Sequence, residues 1–410
     1  MPRISPNEEG IDSQRLLSLD SIANDAIARG AAPGCVVLVA RNGKIVYHKA
    51  YGNYSYDKKI PVTPETVYDM ASVTKICATT IAIMKLYDQG KISLDKKLGD
   101  YLPWVRNTNK ENLLIEDILL HQAGLVAYIP FYKEIIDKNG LPIPNYYSSY
   151  PRDSFNIRVA ENFYLRNDWR DTMYSRIVQS PVHYPPFAGP APKYVYSDND
   201  FIFLGKIVES LSGMTLDEYV MKNFYVPLGL TSAGFKPRER LPLSRVAPTE
   251  QEKYFRLQLL HGDVHDPGAA MFGGVSGHAG LFSDAYDIAV IMQMLLNNGT
   301  FNGRKYIEAS TIQKFTAYHS AFSRRGYGFD KPEKDNASRA EPYPCFSASP
   351  YSFGHTGFTG TFAWADPLYN LNFVLLANRV NPEGGDNKKF LNLNVRAKML
   401  ETVYKAMGVQ

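Results

Sequence analysis

The sequence predicts an α/β fold in which one antiparallel sheet is built from both ends of the chain and flanked by helices, with a mostly helical region inserted. Two observations lead to this prediction: strand-like segments cluster near both termini, and short helical patterns with long loops fill the middle. We expect one domain, 1–410, made of a sheet region at 12–68 and 285–410 and a mostly helical region with long loops at 69–284. The functional cleft should lie at the seam between these regions.

The N-terminal segment predicts a helix followed by a β-hairpin. Leucine, isoleucine and alanine recur at helical spacing over 13–29, and Gly30 follows them. β-rich runs at 35–40 and 44–51 come next, joined by Asn42-Gly43, a pair typical of tight hairpin turns. The chain is therefore expected to open as one helix and two antiparallel strands.

The remaining elements are predicted from periodicity and turn residues. A buried helix is expected from Val73 to Asp88, which holds no proline and is followed by Gly90. The stretch at 126–194, rich in proline, tyrosine and asparagine, is expected to be a long loop that forms a lid or a wall of the cleft. We further predict helices at 115–120, 201–212, 285–296 and 388–407, a turn at Asn302-Gly303, and strands at 326–329, 352–358, 361–365 and 372–378.

Composition indicates an ordinary globular protein. Charged residues make up 21% of the chain and the net charge of +4 is spread along it, so we expect no nucleic-acid partner. No run is apolar enough for a membrane span, and the N-terminus lacks the apolar core of a signal peptide. Three widely spaced cysteines exclude a disulfide framework and a thiolate zinc site. The protein is then cytoplasmic, or else the mature or excised part of an exported chain; the sequence leaves this and the oligomeric state open.

Ser72 and Lys75 are the candidate catalytic pair. Three residues apart at the start of a helix, their side chains share one face. Burial disfavours an ammonium, so we expect a lowered lysine pKa and a neutral amine that accepts the serine proton. The alternative is a helix-capping serine followed by a solvated lysine. Two further S-x-x-K matches, at 55–58 and 93–96, lie among charged turn residues, where lysine stays protonated.

A second motif, Tyr196-Ser197-Asp198-Asn199, precedes an apolar helical run. A tyrosine and a carboxylate two residues apart in a loop can both reach one cleft. The phenol of Tyr196 can relay protons, and Asp198 can hold a lysine or orient the tyrosine. Alternatively, Ser197 or Asp198 only caps the helix that follows.

A third motif, at 354–360, holds three glycines among seven residues and includes His355. Glycines in a strand mark the close approach of another backbone or of a ligand. A strand lying beside Ser72 could lend the N–H of Phe358 to an oxyanion hole. A glycine-rich bulge with a hydrogen-bonded histidine explains the same pattern, and the residues alone leave both interpretations open.

Other histidines are candidate metal ligands. The segment 261–267 carries two histidines and two aspartates, but its glycine and proline favour a loop, and no third ligand is evident. We therefore expect neither a metal nor a cofactor. His121 and His278, at junctions of helix and loop, are expected to brace loops. The sequence has no G-x-S-x-G, H-E-x-x-H or Walker motif. This argues against an α/β-hydrolase, a zinc peptidase and a nucleotide enzyme, respectively.

Together, S-x-x-K at Ser72, the tyrosine motif at Tyr196 and His355-Thr356-Gly357 resemble the serine β-lactamase and penicillin-binding-protein superfamily. The likeness is greatest to the class C β-lactamase branch, which includes esterases and D,D-carboxypeptidases. It runs from about residue 12 to the C-terminus and implies a β-lactamase/transpeptidase-like fold. The phrases at 119–125 and 280–283 are also similar to that family.

The resemblance implies roles for individual residues. Ser72 would be the acylated nucleophile, Lys75 its base, and Tyr196 a partner in the proton relay, while the backbone N–H groups of Ser72 and Phe358 would form the oxyanion hole. The expected substrate-binding residues are Asp198, His355, Thr356, Gly357 and Phe358.

Two residues depart from the family pattern. Asp198 stands where the family usually has asparagine, and its charge would raise the lysine pKa or pair with the lysine. His355 replaces the usual lysine, and a neutral imidazole is a poorer anchor for a substrate carboxylate, so efficient β-lactam hydrolysis is not expected.

The predicted function is that of a serine hydrolase forming an acyl-enzyme on an ester or amide, with a small molecule or peptide as substrate. One alternative is a D,D-peptidase acting on cell-wall peptides. Another is a non-catalytic penicillin-recognising module. The sequence leaves open whether the substrate is an ester, a D-amino-acid peptide or a β-lactam.

Overall fold

The computed structural model describes residues 1–57, 59–183 and 193–409. Its largest sheet is antiparallel and has five strands in the order β3-β4-β5-β1-β2. These strands are β1 (Gly34–Arg41), β2 (Lys44–Gly52), β3 (Phe353–Thr356), β4 (Phe362–Asp366) and β5 (Leu371–Ala377). The N-terminal hairpin thus pairs with the C-terminal strands, which confirms the predicted α/β class and a sheet assembled from both chain ends.

The sheet is covered on both faces, because alternate residues of β1 enter two different cores. Val37 and Val39 pack with α1 (Ser18–Ala28) and α5 (Val395–Ala406). Val36 and Leu38 instead join the larger core, which contains α4 (Ala285–Leu296) and the helical region. This period of two is what a strand buried on both faces requires.

The predicted helix from Val73 to Asp88 is present but not uniform. A 3₁₀ turn, Ala71–Val73, leads into a π-helical segment, Lys75–Thr80, and then into α2 (Ile81–Asp88). Such wide turns recur at functional sites. All six residues of the π-helical segment are buried, as expected for a helix running through the core.

The predicted long loop at 126–194 is wrong over part of its described length, although Tyr128 and Tyr132 do form part of the cleft wall. It contains the helix Trp169–Gln179 and a three-stranded sheet of Tyr147–Ser148, Ile157–Ala160 and Phe163–Leu165. Strands of two to four residues are too short for the pattern of alternation to appear in the sequence. Residues 184–192 of this stretch, and Lys58 of the S-x-x-K match at 55–58, lie outside the described residues.

Two other predictions are corrected. Residues 326–329 form a bend rather than a strand, since Gly328 has a φ of 81° and, within the described chain, the only β pairing nearby is an isolated bridge at Asp330. The predicted C-terminal helix is divided by Asn394, whose φ of 53° breaks the helix between Lys389–Asn392 and α5. The other predicted helices and strands occur within a few residues of their expected bounds, and the N-terminal helix is split into Ser13–Leu16 and α1.

The longest helix of the inserted region is α3 (Asp198–Ser212), and shorter helices surround it.

The remaining short elements are spread along the described chain. The α- and π-helices among them are Leu98–Tyr101, Ile115–Leu119, Leu216–Val220, Met221–Tyr225, Val226–Leu228, Pro267–Met271 and Ala309–Thr316. The 3₁₀ turns are Pro6–Glu9, Pro103–Val105, Phe131–Glu134, Pro144–Tyr146, Pro237–Glu239, Leu243–Arg245, Asn336–Ser338 and Gly384–Asp386. Paired two-residue strands are Tyr68–Asp69 with Phe282–Ser283, Glu250–Gln251 with Leu259–Leu260, and Thr300–Phe301 with Arg304–Lys305. Among the described helices, none has the length and apolar character needed to cross a membrane.

Candidate active site

Ser72, Lys75 and Tyr196 meet at one point of the structure. Lys75 Nζ donates a hydrogen bond to Ser72 Oγ at 3.0 Å, and the Tyr196 hydroxyl donates to the same oxygen at 2.8 Å. The three side chains border a cavity of about 410 Å³ or lie just behind it. This cleft is lined by Ala71, Ser72, Tyr128, Tyr132, Tyr196, Asp198, Tyr254, His265, Asp266, Pro267, His278, Ala279 and Phe358.

Ser72 is presented by a strained turn. Ala71, directly before it, has a φ of 45°, a left-handed conformation that is rare for alanine. The buried carboxylate of Asp69 holds this turn, because one of its oxygens accepts the Ala71 N–H at 2.8 Å and the other accepts the His265 N–H at 2.6 Å. Strain of this kind persists only where the surroundings enforce it, and it is frequent at active sites.

The turn between β3 and β4 is fastened to the segment preceding Ser72. The Thr359 hydroxyl donates to the carbonyl of Asp69 at 2.7 Å, and the Thr361 hydroxyl donates to that of Met70 at 2.9 Å. A Cβ placed on Gly357 would lie 2.5 Å from the Met70 oxygen. Because Gly357 has no side chain, the two backbones can approach each other closely, as the sequence predicted.

Phe358 is one of the residues that line the cleft. The ring is 48% exposed and stacks on His265 with centroids 5.6 Å apart. Within the described part of the chain, no protein group accepts the Phe358 N–H. A free N–H beside the nucleophile is what an oxyanion hole needs.

Lys75 is fully buried and has three partners. Besides Ser72 Oγ, its Nζ donates to Asp198 Oδ1 at 2.7 Å and to the His278 carbonyl at 3.2 Å. Burial lowers the pKa of Lys75, but the charge of Asp198 and the phenol of Tyr196 outweigh burial, so the pKa lies above its usual value. The expected lowered pKa is therefore wrong in sign, and the expectation that an inward-pointing Asp198 raises it is confirmed.

The phenol of Tyr196 is flanked by two cations. Burial raises its pKa, and the nearby Lys75 ammonium partly offsets that rise. Lys75 Nζ lies 4.8 Å from the ring centroid, and the guanidinium carbon of Arg325 lies 5.7 Å from it. Arg325 is only 1% exposed, and sequence reasoning missed it because no motif or spacing distinguishes it in its turn.

Asp198 is the first residue of α3, and the residues around it are held by hydrogen bonds and ring contacts. The Ser197 hydroxyl caps the helix by accepting the Asn199 N–H at 3.2 Å, so the capping interpretation of this motif also holds. His121 packs on Tyr196 with ring centroids 4.7 Å apart, and its Nδ1 lies 2.7 Å from Asp200 Oδ2. This contact agrees with the bracing role expected for His121.

His355 does not line the cleft. It is 3% exposed, and its Nδ1 donates to the Thr356 carbonyl at 2.7 Å. Burial and the charge of Arg325 lower the pKa of His355 to about 3, so the imidazole is neutral at physiological pH. Thr356 pairs with Phe362 inside the sheet. Of the motif 355–358, the structure brings only Phe358 into the lining, with Gly357 packed directly behind it.

The histidines and aspartates of 261–267 do not converge on one point. His261 Nε2 donates to the Val246 carbonyl, Asp263 pairs with Arg158 at 2.9 Å, and His265 bonds Glu250. Among the described residues, the only group with metal-like spacing takes one member from this segment, Asp266, and joins it with Asp198 and His278; their ligand atoms lie within 4.8 Å of one another. His278 lines the cleft, and its contacts with Ser276 and Asp266 agree with the bracing role expected for it.

Comparisons with known proteins agree with this geometry. A family model described as Beta-lactamase matches residues 19–397. The chain is 34% identical over 403 residues to a Salmonella enteritidis protein named "Putative D-alanyl-D-alanine carboxypeptidase", a match that covers 92% of this chain and 85% of that protein.

Two solved structures share the fold at low identity. A penicillin-binding protein homologue from Caulobacter crescentus has a TM-score of 0.66 at 21% identity, covering 97% of this chain and 98% of its own. A class C β-lactamase from Rhodobacter sphaeroides has a TM-score of 0.60 at 17% identity, with coverage of 92% and 98%.

Proposed function

Because the chain belongs to the beta-lactamase family and is a serine hydrolase, we propose that Ser72 is acylated by an ester or amide of a small molecule or peptide. The observation that carries this proposal is the double contact of Ser72 Oγ, with Lys75 Nζ at 3.0 Å and the Tyr196 hydroxyl at 2.8 Å. A nucleophile within hydrogen-bond reach of a base and of a proton donor is the arrangement that acyl transfer requires.

In the resting state, Lys75 is an ammonium that forms an ion pair with Asp198, and Tyr196 is a neutral phenol, since the pKa of both Lys75 and Tyr196 is raised. The amine becomes a base when it passes a proton to Asp198 along their 2.7 Å hydrogen bond. It then takes the hydroxyl proton of Ser72, whose oxygen forms the new bond to the substrate carbonyl carbon.

The leaving group receives its proton from Tyr196. Lys75 then gives a proton to the phenolate of Tyr196, and Asp198 returns its proton to Lys75. The net result is transfer of the serine proton to the leaving group. The backbone N–H groups of Ser72 and Phe358 stabilise the oxyanion meanwhile, and removing one such donor typically costs 10²–10³-fold in rate, about 3–4 kcal/mol. Water attacking the acyl-enzyme would follow the same proton path in reverse.

A second candidate is a D,D-carboxypeptidase acting on cell-wall peptides, and the name of the Salmonella relative favours it. Such a substrate ends in a carboxylate, for which a cationic anchor is expected. Among the described residues that line the cleft there is neither a lysine nor an arginine, and His355 is neutral, so the geometry favours other esters and amides. A non-catalytic penicillin-recognising module has less support, because the nucleophile and both proton carriers are in contact.

Turnover of three probes tests the proposal: p-nitrophenyl acetate, nitrocefin and a D-Ala-D-Ala peptide. We expect hydrolysis of the ester to be fastest and to disappear in Ser72→Ala. Ser93→Ala, in an S-x-x-K match whose lysine is exposed, is the control and should keep full activity. Fastest turnover of nitrocefin or of the peptide would refute the substrate assignment, and activity surviving in Ser72→Ala would refute the nucleophile.

A further inference from the structure

A second cavity lies away from the cleft, beside the end of α4 and the edge strand β3. Its volume is about 680 Å³, larger than that of the cleft, and the two cavities share no lining residue. Leu295, Ile312 and Phe353 are buried residues of its wall. A cavity of this size with a mostly apolar wall is of the kind that holds a small organic molecule.

Lys331 is the one charged side chain among the described residues that line this cavity. It is only 1% exposed, although lysine is almost never fully buried unless it is paired. Within the described chain, Lys331 forms no ion pair, and Nζ donates a single hydrogen bond, to the Ser352 carbonyl at 3.0 Å. Nζ also lies 4.5 Å from the centroid of the Tyr318 ring, which attracts the cation without neutralising it. The ammonium has three N–H donors, so it can still donate to a ligand.

The surrounding protein compensates little of this charge. Burial lowers the pKa of Lys331 to about 8, and the charge of Asp366 only partly offsets that effect. Asp366 is engaged elsewhere, because its carboxylate oxygens accept hydrogen bonds from the Ser349 and Tyr404 hydroxyls, both at 2.6 Å. Lys331 is therefore still an ammonium at neutral pH, and a buried charge without a partner of opposite sign is unfavourable.

The mouth of the cavity is apolar as well. Tyr351 and Leu368, which both line it, are 64% and 55% exposed. Exposed apolar side chains gathered around a cavity are typical of a site where a ligand binds. An apolar ligand would remove these side chains from water, which is favourable.

The charge of the ligand follows from the single cation. One ammonium compensates one negative charge, whereas a dianion would carry a second charge into the apolar wall without a partner. A carboxylate supplies this one charge and accepts more than one hydrogen bond from an ammonium.

We propose that this second cavity binds a monocarboxylate with an apolar chain or ring, and that the Lys331 ammonium donates hydrogen bonds to its carboxylate. The apolar body of the ligand lies against Leu295, Ile312 and Phe353. The site goes beyond the proposed function, because it is separate from Ser72 and does not depend on acyl transfer.

Isothermal titration calorimetry with octanoate tests the site, and octanol is the matched ligand with the same chain length and no charge. We expect one octanoate to bind per chain, and Lys331→Met to weaken that binding about tenfold or more, since hydrogen bonds between charged groups are stronger than neutral ones. Octanol should bind Lys331→Met at least as well as it binds the unchanged protein. No binding of octanoate to the unchanged protein, or equal octanoate affinity in Lys331→Met, would overturn the proposal.

Two further variants separate the charge of Lys331 from a role in the fold. Lys331→Arg keeps the cation and should bind octanoate more tightly than Lys331→Met does. Lys85→Met removes another partly buried lysine that donates to a backbone carbonyl, that of Tyr306 at 2.9 Å, and should leave octanoate binding unchanged. Equal weakening of octanoate and octanol in Lys331→Met, or no recovery in Lys331→Arg, would mean that Lys331 only supports the fold, and this would overturn the proposal.

A second copy of the chain is the other occupant that the apolar mouth could accept. Leu368→Glu places a charge at the exposed mouth, so it would disrupt such a dimer. If the unchanged protein bound no octanoate and formed a dimer that dissociated in Leu368→Glu, the cavity would belong to an interface and the proposal would be wrong. We expect octanoate binding in the unchanged protein and weaker binding in Leu368→Glu, because like charges repel.

Discussion

Lys75 Nζ and Asp198 Oδ1 are 2.7 Å apart, and this ion pair sits directly behind the nucleophile. The pair determines the protonation state of the whole site. It makes the resting lysine an ammonium, so activity requires a proton to move along the pair rather than an amine that is neutral from the start. The carboxylate at position 198 thereby explains why the sequence-based expectation for Lys75 had the wrong sign.

Replacing Asp198 with asparagine should shift the pH profile of hydrolysis. Asparagine cannot accept the Lys75 proton, so the amine must lose that proton to solvent, although burial lowers its pKa once the negative charge is gone. The acidic limb of kcat/KM then follows the deprotonation of Lys75 instead of the loss of the ion pair, so we expect it to move to higher pH. The measurement is a pH–rate profile of ester hydrolysis, and a limb that stays in place or moves to lower pH would show that Asp198 is not the proton acceptor.

Replacing Arg325 with methionine should weaken proton donation by Tyr196. The buried guanidinium lies 5.7 Å from the Tyr196 ring, and its loss makes the phenol a weaker acid. We expect kcat to fall about tenfold for an alkyl ester but little for a p-nitrophenyl ester, whose leaving group needs no proton. Arg325→Lys should restore part of the rate.

Arg324→Met is the matched control for this experiment. Arg324 is adjacent in sequence and, like Arg325, pairs with Asp330, but it lies over the ring of Tyr343 instead of Tyr196. Equal losses on both esters in Arg325→Met, or the same leaving-group dependence in Arg324→Met, would indicate a purely structural contribution.

Substitution of Gly357 by alanine should damage activity more than stability. The added methyl would lie 2.0 Å from Thr361 Oγ1 and 2.5 Å from the Met70 carbonyl, so the turn carrying Phe358 must move away from Ser72. We expect kcat to fall about 100-fold, as for the loss of one oxyanion donor. Gly303→Ala is the control: it has open space but a φ of 76°, and should cost about 1 kcal/mol of stability with kcat unchanged.

His355 should make stability depend on pH. Its pKa is lowered to about 3 in the folded protein, against about 6.5 in an unfolded chain. Between these values only the unfolded chain binds the proton, so stability is lost as the pH falls below about 6.5. From pH 7 to pH 5, the free energy of unfolding should therefore fall in both proteins, but by about 2 kcal/mol less in His355→Gln than in the unchanged protein.

Urea unfolding at the two pH values measures this difference. His319→Gln, which replaces an exposed histidine, should behave as the unchanged protein does. A difference between pH 7 and pH 5 that is the same with and without His355 would mean that the imidazole titrates normally in the folded state.

The sequence predicted the sheet, its two-ended assembly and the central helical segment, because these depend on local periodicity and on turn pairs such as Asn42-Gly43. It also identified Ser72, Lys75, Tyr196 and Asp198, which carry motif spacing. It did not predict the strands and helix within 126–194, whose elements are too short to show a period. Arg325 and Asp266 were not assigned to the site, because their roles arise from tertiary contacts that no local pattern records.

Whether Ser72 becomes nucleophilic through Lys75 is tested most directly by site-resolved mass spectrometry after exposure to a fluorophosphonate. We expect the adduct on the peptide that carries Ser72, formed at least about 100-fold more slowly in Lys75→Met and at an unchanged rate in Lys96→Met, which alters the exposed lysine of the match at 93–96. An adduct on another residue, or equal rates in Lys75→Met and the unchanged protein, would contradict the account.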